Sequence, residues 1–552
     1  MTEEGAAFTT PSDVLDSSVG ANQSQADEWR KIAELIFPRW KEFDTLDQLH
    51  QKFPARELPE AAMVTRVGPS PTGMMHIGGV YVALINYMLA RQTGGVFFLR
   101  IEDTDTKRTV EGAYETIVNA LMDYQLVPDE GPIRSKENEY IERGDYGPYV
   151  QTARKDIYHA CAFNLVSRGV MYPCFMSEAE LEQIREGQKA NGLRTGIYGP
   201  WAKCRNLSFA EVEAQLKIHG SFVLRLRANA ELNRTVSWDD GVRGKLTLPE
   251  YDIDAVLIKS DGIPTYHFAH LVDDHFMGTT HVVRAEEWVS SVPLHLQLFS
   301  RMGWPPPDYS HVSGIQKIGE NGGKRKLSKS KDPEADVQFY WQNGFPREAV
   351  IEYLLNLANA DFEQWRQEHP AAPYSDFHVS IEDVGIAGPL ANMVKLASIS
   401  REVLARMTTE RIYECSLSWT GKYDPELAEE MAKDPGYTGR VLNVERDPEN
   451  SAKRIGTLKD LRVHVAPFFE RFLPPATELP FPLNVSQQDR IKILTLVKER
   501  YQETDSSQEF FERLKVIAAE LGFAATAKEL KKRTDEYKGH VGDVAMIVRV
   551  AL

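Results

Sequence analysis

Cysteine is scarce: Cys161, Cys174, Cys204 and Cys415 are the four in a chain of 552 residues. That excludes a disulfide-stapled scaffold and fits a reducing compartment, so a cytoplasmic protein is expected. Long apolar runs are missing too. No stretch is long enough to cross a bilayer, and no membrane role is expected. The opening MTEEGAAFTTPSDVLDSSVGANQSQADEW is acidic and polar. It lacks the apolar core of a secretory signal and the Arg-rich character of a transit peptide. Positive charge is in deficit, with 64 Lys and Arg against 80 Asp and Glu, a net charge of −16. Over the whole chain this argues against nucleic acid as a partner, but screening confines fields to about 10 Å, so local basic patches remain open. KELKKR (Lys528 to Arg533) is one such run, and its plain reading is a solvated helix face. Internal repeats are absent. So is the P-loop pattern G-x-x-x-x-G-K-[ST], which excludes phosphate cradling by that mechanism.

What is present begins with length, which exceeds one core and implies several domains. Residues 1 to about 26 read as disordered. A helical pattern then runs from Trp29 to about Phe43, with a polar link to Pro59. From Met63 the pattern is strand (MVTRV), helix (Ile77 to about Gln92, ended by Gly94-Gly95) and strand (VFFLRI), a βαβ unit. A mixed region follows, from about Gln151 to Asp261. The α/β character then returns in DGIPTYHFAHLVDDHFMG and THVVRAEEW. A unit that stops and resumes predicts a domain inserted between two halves of one nucleotide-binding sheet. Beyond Gly344 the pattern is nearly all helical, with loops expected at Pro370 to Pro373, Asp434 to Gly439 and Pro474 to Pro482.

Two stretches carry the chemistry. RVGPSPTGMMHIGG (Arg66 to Gly79) sits where a doubly wound sheet binds ligands, at the carboxyl end of a strand. Its glycines admit a ligand close to the backbone, its prolines stiffen the loop, and the helix N-terminus faces any anion there. His76 can donate to phosphate oxygens. The bland reading is a plain strand-to-helix turn. GGKRKLSKSKD (Gly322 to Asp332) puts Lys326, Ser328, Lys329 and Ser330 on a Gly-flanked loop expected to be mobile. Two cations there can close over a triphosphate and neutralise charge developing at its α-phosphate. Taken alone, such a loop is an ordinary solvated surface.

Together the two stretches resemble the paired signatures of class I aminoacyl-tRNA synthetases. VTRVGPSPTGMMHIGG, FLRIEDTD, KSDGIPTYHFAHLVDDHFMG, VVRAEEW and the closing VGDVAMIVRVAL resemble the bacterial-type glutamyl-tRNA synthetases from about Met63 to Leu552. The implied fold class is α/β: a Rossmann-type catalytic domain with an inserted α+β connective domain, followed by an all-α C-terminal anticodon-binding region. The expected segments are an N-terminal extension (1–60), the first catalytic half (61–150), the inserted acceptor-binding domain (151–261), the second catalytic half (262–300), a stem-contact region with the KLSKS loop (301–400) and the helical anticodon-binding region (401–552).

The resemblance implies that Arg66, Tyr266 and Arg284 hold the two carboxylates of glutamate, Arg66 and Tyr266 meeting the side-chain one. It implies that Glu102 accepts from the α-ammonium group. Ser70, His76, Gly78, Glu287, Lys326, Ser328 and Lys329 are implied ATP or substrate contacts, with His76, Lys326 and Lys329 acting in catalysis. Asp105 is implied near the tRNA acceptor end, its bland alternative being a helix cap. Planar guanidinium suits carboxylate, and carboxylate suits ammonium. The chain departs from the family at Gly68, often Ala, where no consequence is expected. It departs also at His270, one turn after Tyr266, which either lines the glutamate pocket or packs beside it. Some relatives hold Zn²⁺ with C-x-C and a later Y-x-x-x-C. Here the place reads Cys174-Phe175-Met176, then Tyr198 and Cys204, so no structural zinc is expected. The implied partners are L-glutamate, ATP with Mg²⁺, and tRNA-Glu, with tRNA-Gln left open as a second acceptor. A monomer is expected.

Three rivals stand against this reading. A glutaminyl-tRNA synthetase has a β-rich anticodon region, unlike the helical pattern here. A short paralogue that glutamylates a modified tRNA base lacks the C-terminal region. A non-catalytic tRNA-binding protein built on a dead synthetase is opposed by intact His76, Glu102, Lys326 and Lys329.

Overall fold

Parallel pairing of Val64–Val67 with Val96–Leu99, across the helix Ile77–Gln92, makes the expected βαβ unit. The computed structural model describes residues 23–229, 234–444, 446, 453–473, 479–502, 504–533 and 535–551. All of Val64–Val67 is buried, as a strand covered on both faces must be. Asn86, buried in mid-helix, locks the layers together. Its carbonyl accepts from Thr65 Oγ1 at 2.8 Å and its amide donates to the Val283 carbonyl at 3.1 Å. Thr280 gives its N–H to the Val64 carbonyl at 3.1 Å, which lashes the returning strand beside the first.

That returning strand, His281–Ala285, pairs in parallel with Asp308–Val312. Beyond it lies an element the sequence reading had assigned to the inserted region. Strand Thr235–Asp240 forms a hairpin with Gly244–Pro249, and Asp240 pairs with Tyr309. The hairpin therefore extends the layer built by His281–Ala285 and Asp308–Val312. The rest of the 151–261 stretch builds its own three-stranded antiparallel sheet from Met171–Cys174, Val223–Leu226 and Val256–Ile258.

The amino-terminal segment is more helical than expected. Helix Gln23–Ile36 starts before Trp29 and ends before Pro38, which has no N–H to continue it. The stretch read as a polar link holds a second helix, Leu46–Lys52, opened by a Thr45/Gln48 capping box. Both helices pack into one apolar cluster: Ile32, Phe37, Leu49 and Phe53 join Phe268, Leu271 and Phe276 of helix Tyr266–Phe276. The part of the disorder reading up to residue 22 lies outside the described residues.

The chain divides into two compact units, one up to Trp341 with Arg347–Leu396, the other Gln342–Pro346 with Ala397–Leu552. In the second, the described regular elements are helices. One of its cores gathers Val485, Ile493, Leu514, Phe523, Val544 and Ile547. The loop expected at Asp434 to Gly439 is instead a helix start. Asp434 accepts from the Tyr437 N–H at 2.8 Å, and Pro435 takes the first position of helix Pro435–Asn443. An Asp-Pro pair reads as a turn, but it is equally an N-cap followed by the residue that needs no partner for its missing N–H. The loop expected at Pro474 to Pro482 lies largely outside the described residues.

Candidate active site

One cleft of about 640 Å³ opens at the carboxyl ends of the parallel strands. Its wall begins with the loop between strand Val64–Val67 and helix Ile77–Gln92. His76 has extended backbone and caps that helix, its Nδ1 accepting the Gly78 N–H at 2.8 Å. A neutral ring that accepts on Nδ1 carries its proton on Nε2, a donor that the Leu327 backbone carbonyl engages and that a ligand takes over by exchange. Burial lowers the His76 pKa, with Lys329 and Lys326 adding to the effect, so this neutral form is favoured. One N–H expected to face an anion is thus taken by the His76 ring. Gly78 is required for the contact, since a Cβ there would lie 2.9 Å from Nδ1.

Lys326 and Lys329 reach the cleft from the opposite side. Strand Lys324–Lys326 pairs with Gln316–Ile318, and Leu327 is buried beneath the loop. Asp332 pins the base: it receives both Nη atoms of Arg325 at 2.6 Å and the Ser328 N–H at 2.9 Å. The Arg325 hydrogen bonds hold its carboxyl below the usual range. Lys326 Nζ rests on the Glu287 carboxylate and Lys329 Nζ on the Met74 carbonyl. Both cations therefore sit on oxygen acceptors.

At the other end, the wall carries Arg66, Glu102, Tyr266, Arg284 and Trp288. Behind it lies a buried charge network that sequence reasoning missed. Arg100 donates to Glu102 at 2.8 Å and to Asp274 at 2.7 Å. Arg154 pairs with Asp273 at 2.6 Å. Arg66 reaches Asp274 more loosely, at 3.2 to 3.4 Å. Burial opposes the charge on Asp274, but Arg100 and Arg66 outweigh it and hold its carboxyl well below the usual range. For Glu102, burial wins over Arg100 and Arg66 and raises the pKa. Three guanidinium groups (Arg66, Arg100, Arg154) thus face three carboxyls (Glu102, Asp273, Asp274).

Arg284 stands outside this balance. It is 5% exposed, and among the described residues no carboxylate lies within ion-pair distance. Its partners are neutral: His311 Nε2 at 3.0 Å, Tyr266 Oη at 3.1 Å, His295 Nδ1 at 3.3 Å and the Trp288 carbonyl at 3.4 Å. Burial lowers the pKa of His311 and drives that of His295 well below its ordinary value, so neither adds a competing charge.

The cleft brings together Arg66, Ser70, His76, Gly78, Glu102, Asp105, Tyr266, Arg284, Glu287, Lys326 and Lys329. Two sequence candidates fall elsewhere. His270 is fully buried behind Tyr266, its ring stacked against it at 6.0 Å, and it bonds Tyr309 Oη at 3.0 Å. One helical turn carries its side chain to the rear of the wall. Ser328 is held through its N–H by Asp332 and is not part of the lining. Asp105 is exposed and caps no helix; the next N-cap is Gly112. A Cβ at Gly68 would lie 2.3 Å from Glu102 Oε1, so Ala at this position requires the Glu102 carboxylate to shift. Among the described residues, no group of three or more His, Cys, Asp and Glu is placed to hold a metal ion. A hydrogen bond with Cys204 draws the Cys174 thiol down to about 6 against burial, with Arg225 assisting.

The family model for tRNA synthetases class I (E and Q), catalytic domain, matches residues 62–364. Among known relatives, the glutamate–tRNA ligase of Sorangium cellulosum (strain So ce56) is 45% identical, over 92% of each chain. That of Acetivibrio thermocellus is 42% identical, over 95% of this chain and 94% of its own. A solved glutamate tRNA ligase from Elizabethkingia meningosepticum, in complex with its amino acid, aligns with a TM-score of 0.67 at 26% identity, covering 89% of this chain and 97% of that one.

Proposed function

The chain belongs to the class I tRNA synthetases of the E and Q kind, and on that footing we propose that it ligates L-glutamate to tRNA at the expense of ATP. The observation that carries the choice of amino acid is Arg284, a buried guanidinium on the cleft wall whose partners among the described residues are all neutral. A buried cation without a counter-charge selects an anionic ligand group. Arg284 and Tyr266 take the side-chain carboxylate, with Arg66 beside them, and Glu102 receives the α-ammonium group. Arg66, already engaged by Asp274, is the weaker claimant for the side chain, which shifts the leading role from Arg66 to Arg284.

In the first step the glutamate α-carboxylate attacks the α-phosphate of ATP, giving glutamyl-adenylate and pyrophosphate. In the second, a ribose hydroxyl at the 3′ end of tRNA takes the glutamyl group and AMP leaves. No side chain needs to become covalently linked; positioning and electrostatic stabilisation carry the rate. His76 Nε2–H donates to a phosphate oxygen. Lys326 and Lys329 leave Glu287 and the Met74 carbonyl to meet charge on the transferring phosphate. Mg²⁺ would accompany ATP and offset its charge, and Glu287, once Lys326 has left it, is the carboxylate at that end of the cleft that would help to hold it. Asp105 faces the acceptor end of tRNA, which the inserted region holds, and the helical second unit grips the anticodon, whose unpaired bases offer edges and faces for readout. tRNA-Glu is the acceptor of this reading.

The test is exchange of pyrophosphate into ATP, with tRNA present, for glutamate and glutamine in parallel. Glutamine has nearly the same shape but turns an NH₂ toward guanidinium donors, and sites built on such pairing discriminate by about 10⁴-fold. Wild type is expected to favour glutamate by that order in kcat/KM. Arg284→Ala should cripple glutamate use and erase most of the preference. Equal use of both amino acids by the wild type would refute the pocket assignment.

A further inference from the structure

The Nε edge of Arg284 is held by a chain of two buried groups. Nε donates to His311 Nε2 at 3.0 Å. An imidazole that accepts on Nε2 carries its proton on Nδ1, and that nitrogen lies 2.5 Å from Asp240 Oδ2. The other oxygen of Asp240 is filled by the N–H groups of His311 at 3.1 Å, Arg243 at 3.1 Å and Val242 at 3.2 Å. Asp240 is 3% exposed and His311 fully buried. The chain crosses three strands, from the end of Thr235–Asp240 through Asp308–Val312 to His281–Ala285. It exists because the hairpin from the inserted stretch pairs with the nucleotide-binding layer at Tyr309 and Asp240.

We propose that Asp240 and His311 are positioning residues for the substrate's side-chain carboxylate: they fix the guanidinium of Arg284 by its Nε edge and keep its Nη edge turned to the cleft. This rests on the glutamate-binding reading above. The use of an imidazole has a physical reason. A carboxylate placed directly on Nε would cancel the positive charge that must recognise the ligand. A neutral imidazole supplies the acceptor without the charge, and Asp240, one residue further back, fixes which nitrogen accepts. A carboxylate behind a histidine selects the working tautomer in the same way elsewhere in catalysis.

Asp240→Asn tests the chain at its far end, away from the cleft. The Asn carbonyl can still receive the three backbone N–H groups, so its NH₂ must face His311 Nδ1. The ring proton then moves to Nε2 and meets the Arg284 Nε–H donor to donor. With glutamate-dependent pyrophosphate exchange as the assay and tRNA present, the KM for glutamate should rise about tenfold or more, the cost of one mispaired buried polar group. The KM for ATP should stay at the wild-type value, and the preference over glutamine should shrink. His311→Leu should behave like Asp240→Asn. His311→Gln, whose carbonyl can accept from Nε without help from Asp240, should recover most of the glutamate KM, and adding Asp240→Asn to it should cost nothing further. A wild-type glutamate KM in Asp240→Asn overturns the positioning role. So does equal loss for ATP and glutamate with no recovery in His311→Gln. A wild type without glutamate-dependent exchange overturns the glutamate reading itself, and the positioning role falls with it.

Discussion

Lys329 shows how little a single residue reveals until its partner is known. Its ammonium rests on the Met74 carbonyl in the loop before His76, and burial lowers its pKa. To meet a phosphate it must exchange a neutral carbonyl for developing negative charge, an exchange that favours the transition state. Lys329→Ala is therefore expected to lower kcat of adenylate formation on the order of 10²-fold, as loss of one preorganised donor does. Glutamate KM should change far less, and an effect confined to glutamate KM would contradict the role. Cys174 and Cys204 make the opposite case. They form a close thiol pair, but the position that would supply another thiolate is Met176. Structural zinc needs four good ligands. Elemental analysis of the purified protein should find little zinc; stoichiometric metal that disappears in a Cys174→Ser, Cys204→Ser variant would refute this.

At the scale of the element, helix Tyr266–Phe276 is the hub. One face gives Tyr266 to the cleft, and the others bury His270, Asp273 and Asp274. Burial lowers His267 to about 4 and His270 to about 3, from 6.5. The sign of the consequence follows directly. Between about pH 4 and 6.5 these rings are neutral in the folded chain and protonated in the unfolded one, so the unfolded state binds more protons. Stability contributed by their neutral burial is complete above pH 6.5 and is lost as the pH falls. The urea midpoint should therefore drop clearly between pH 7.5 and pH 5. A midpoint constant over that range would mean that these histidines are not buried neutral. The same helix explains why spacing left both readings of His270 open. Spacing of one turn placed it near Tyr266, but only packing against Tyr309 and His295 decides that it lies behind the wall.

For the whole molecule, the division at Ala397 separates the cleft from the helical second unit, since every residue placed in the cleft lies in the first. Removing residues 397–552 should weaken tRNA binding while the first unit keeps its strand pairings, because the parallel pairs and the hairpin are complete before that point. Binding of labelled tRNA to the truncated protein measures this directly. Unchanged affinity would count against the helical unit as the anticodon grip.

Local chemistry alone determined a good deal. The βαβ start, the helix beginning at Ile77, the His76 loop and the Lys326–Lys329 loop were legible because each is written in consecutive residues: apolar runs, glycines at close approaches, a cap, a basic tip. Even so, caps and turns share residue types, and so Asp434-Pro435 read as a loop and the Thr45 capping box went unseen. Tertiary structure alone decided the rest. Asp274 meets Arg66 and Arg100 across 208 and 174 positions of sequence, and Asp240 meets His311 across 71. Pairings at such separations leave no periodic trace, since nothing in the spacing says which strand lies beside which. A lone buried guanidinium is equally silent in sequence. Arg284 is informative because, among the described residues, no carboxylate pairs with it on the cleft wall, and that becomes visible only when the chain has folded and Arg66, Arg100 and Arg154 have taken theirs.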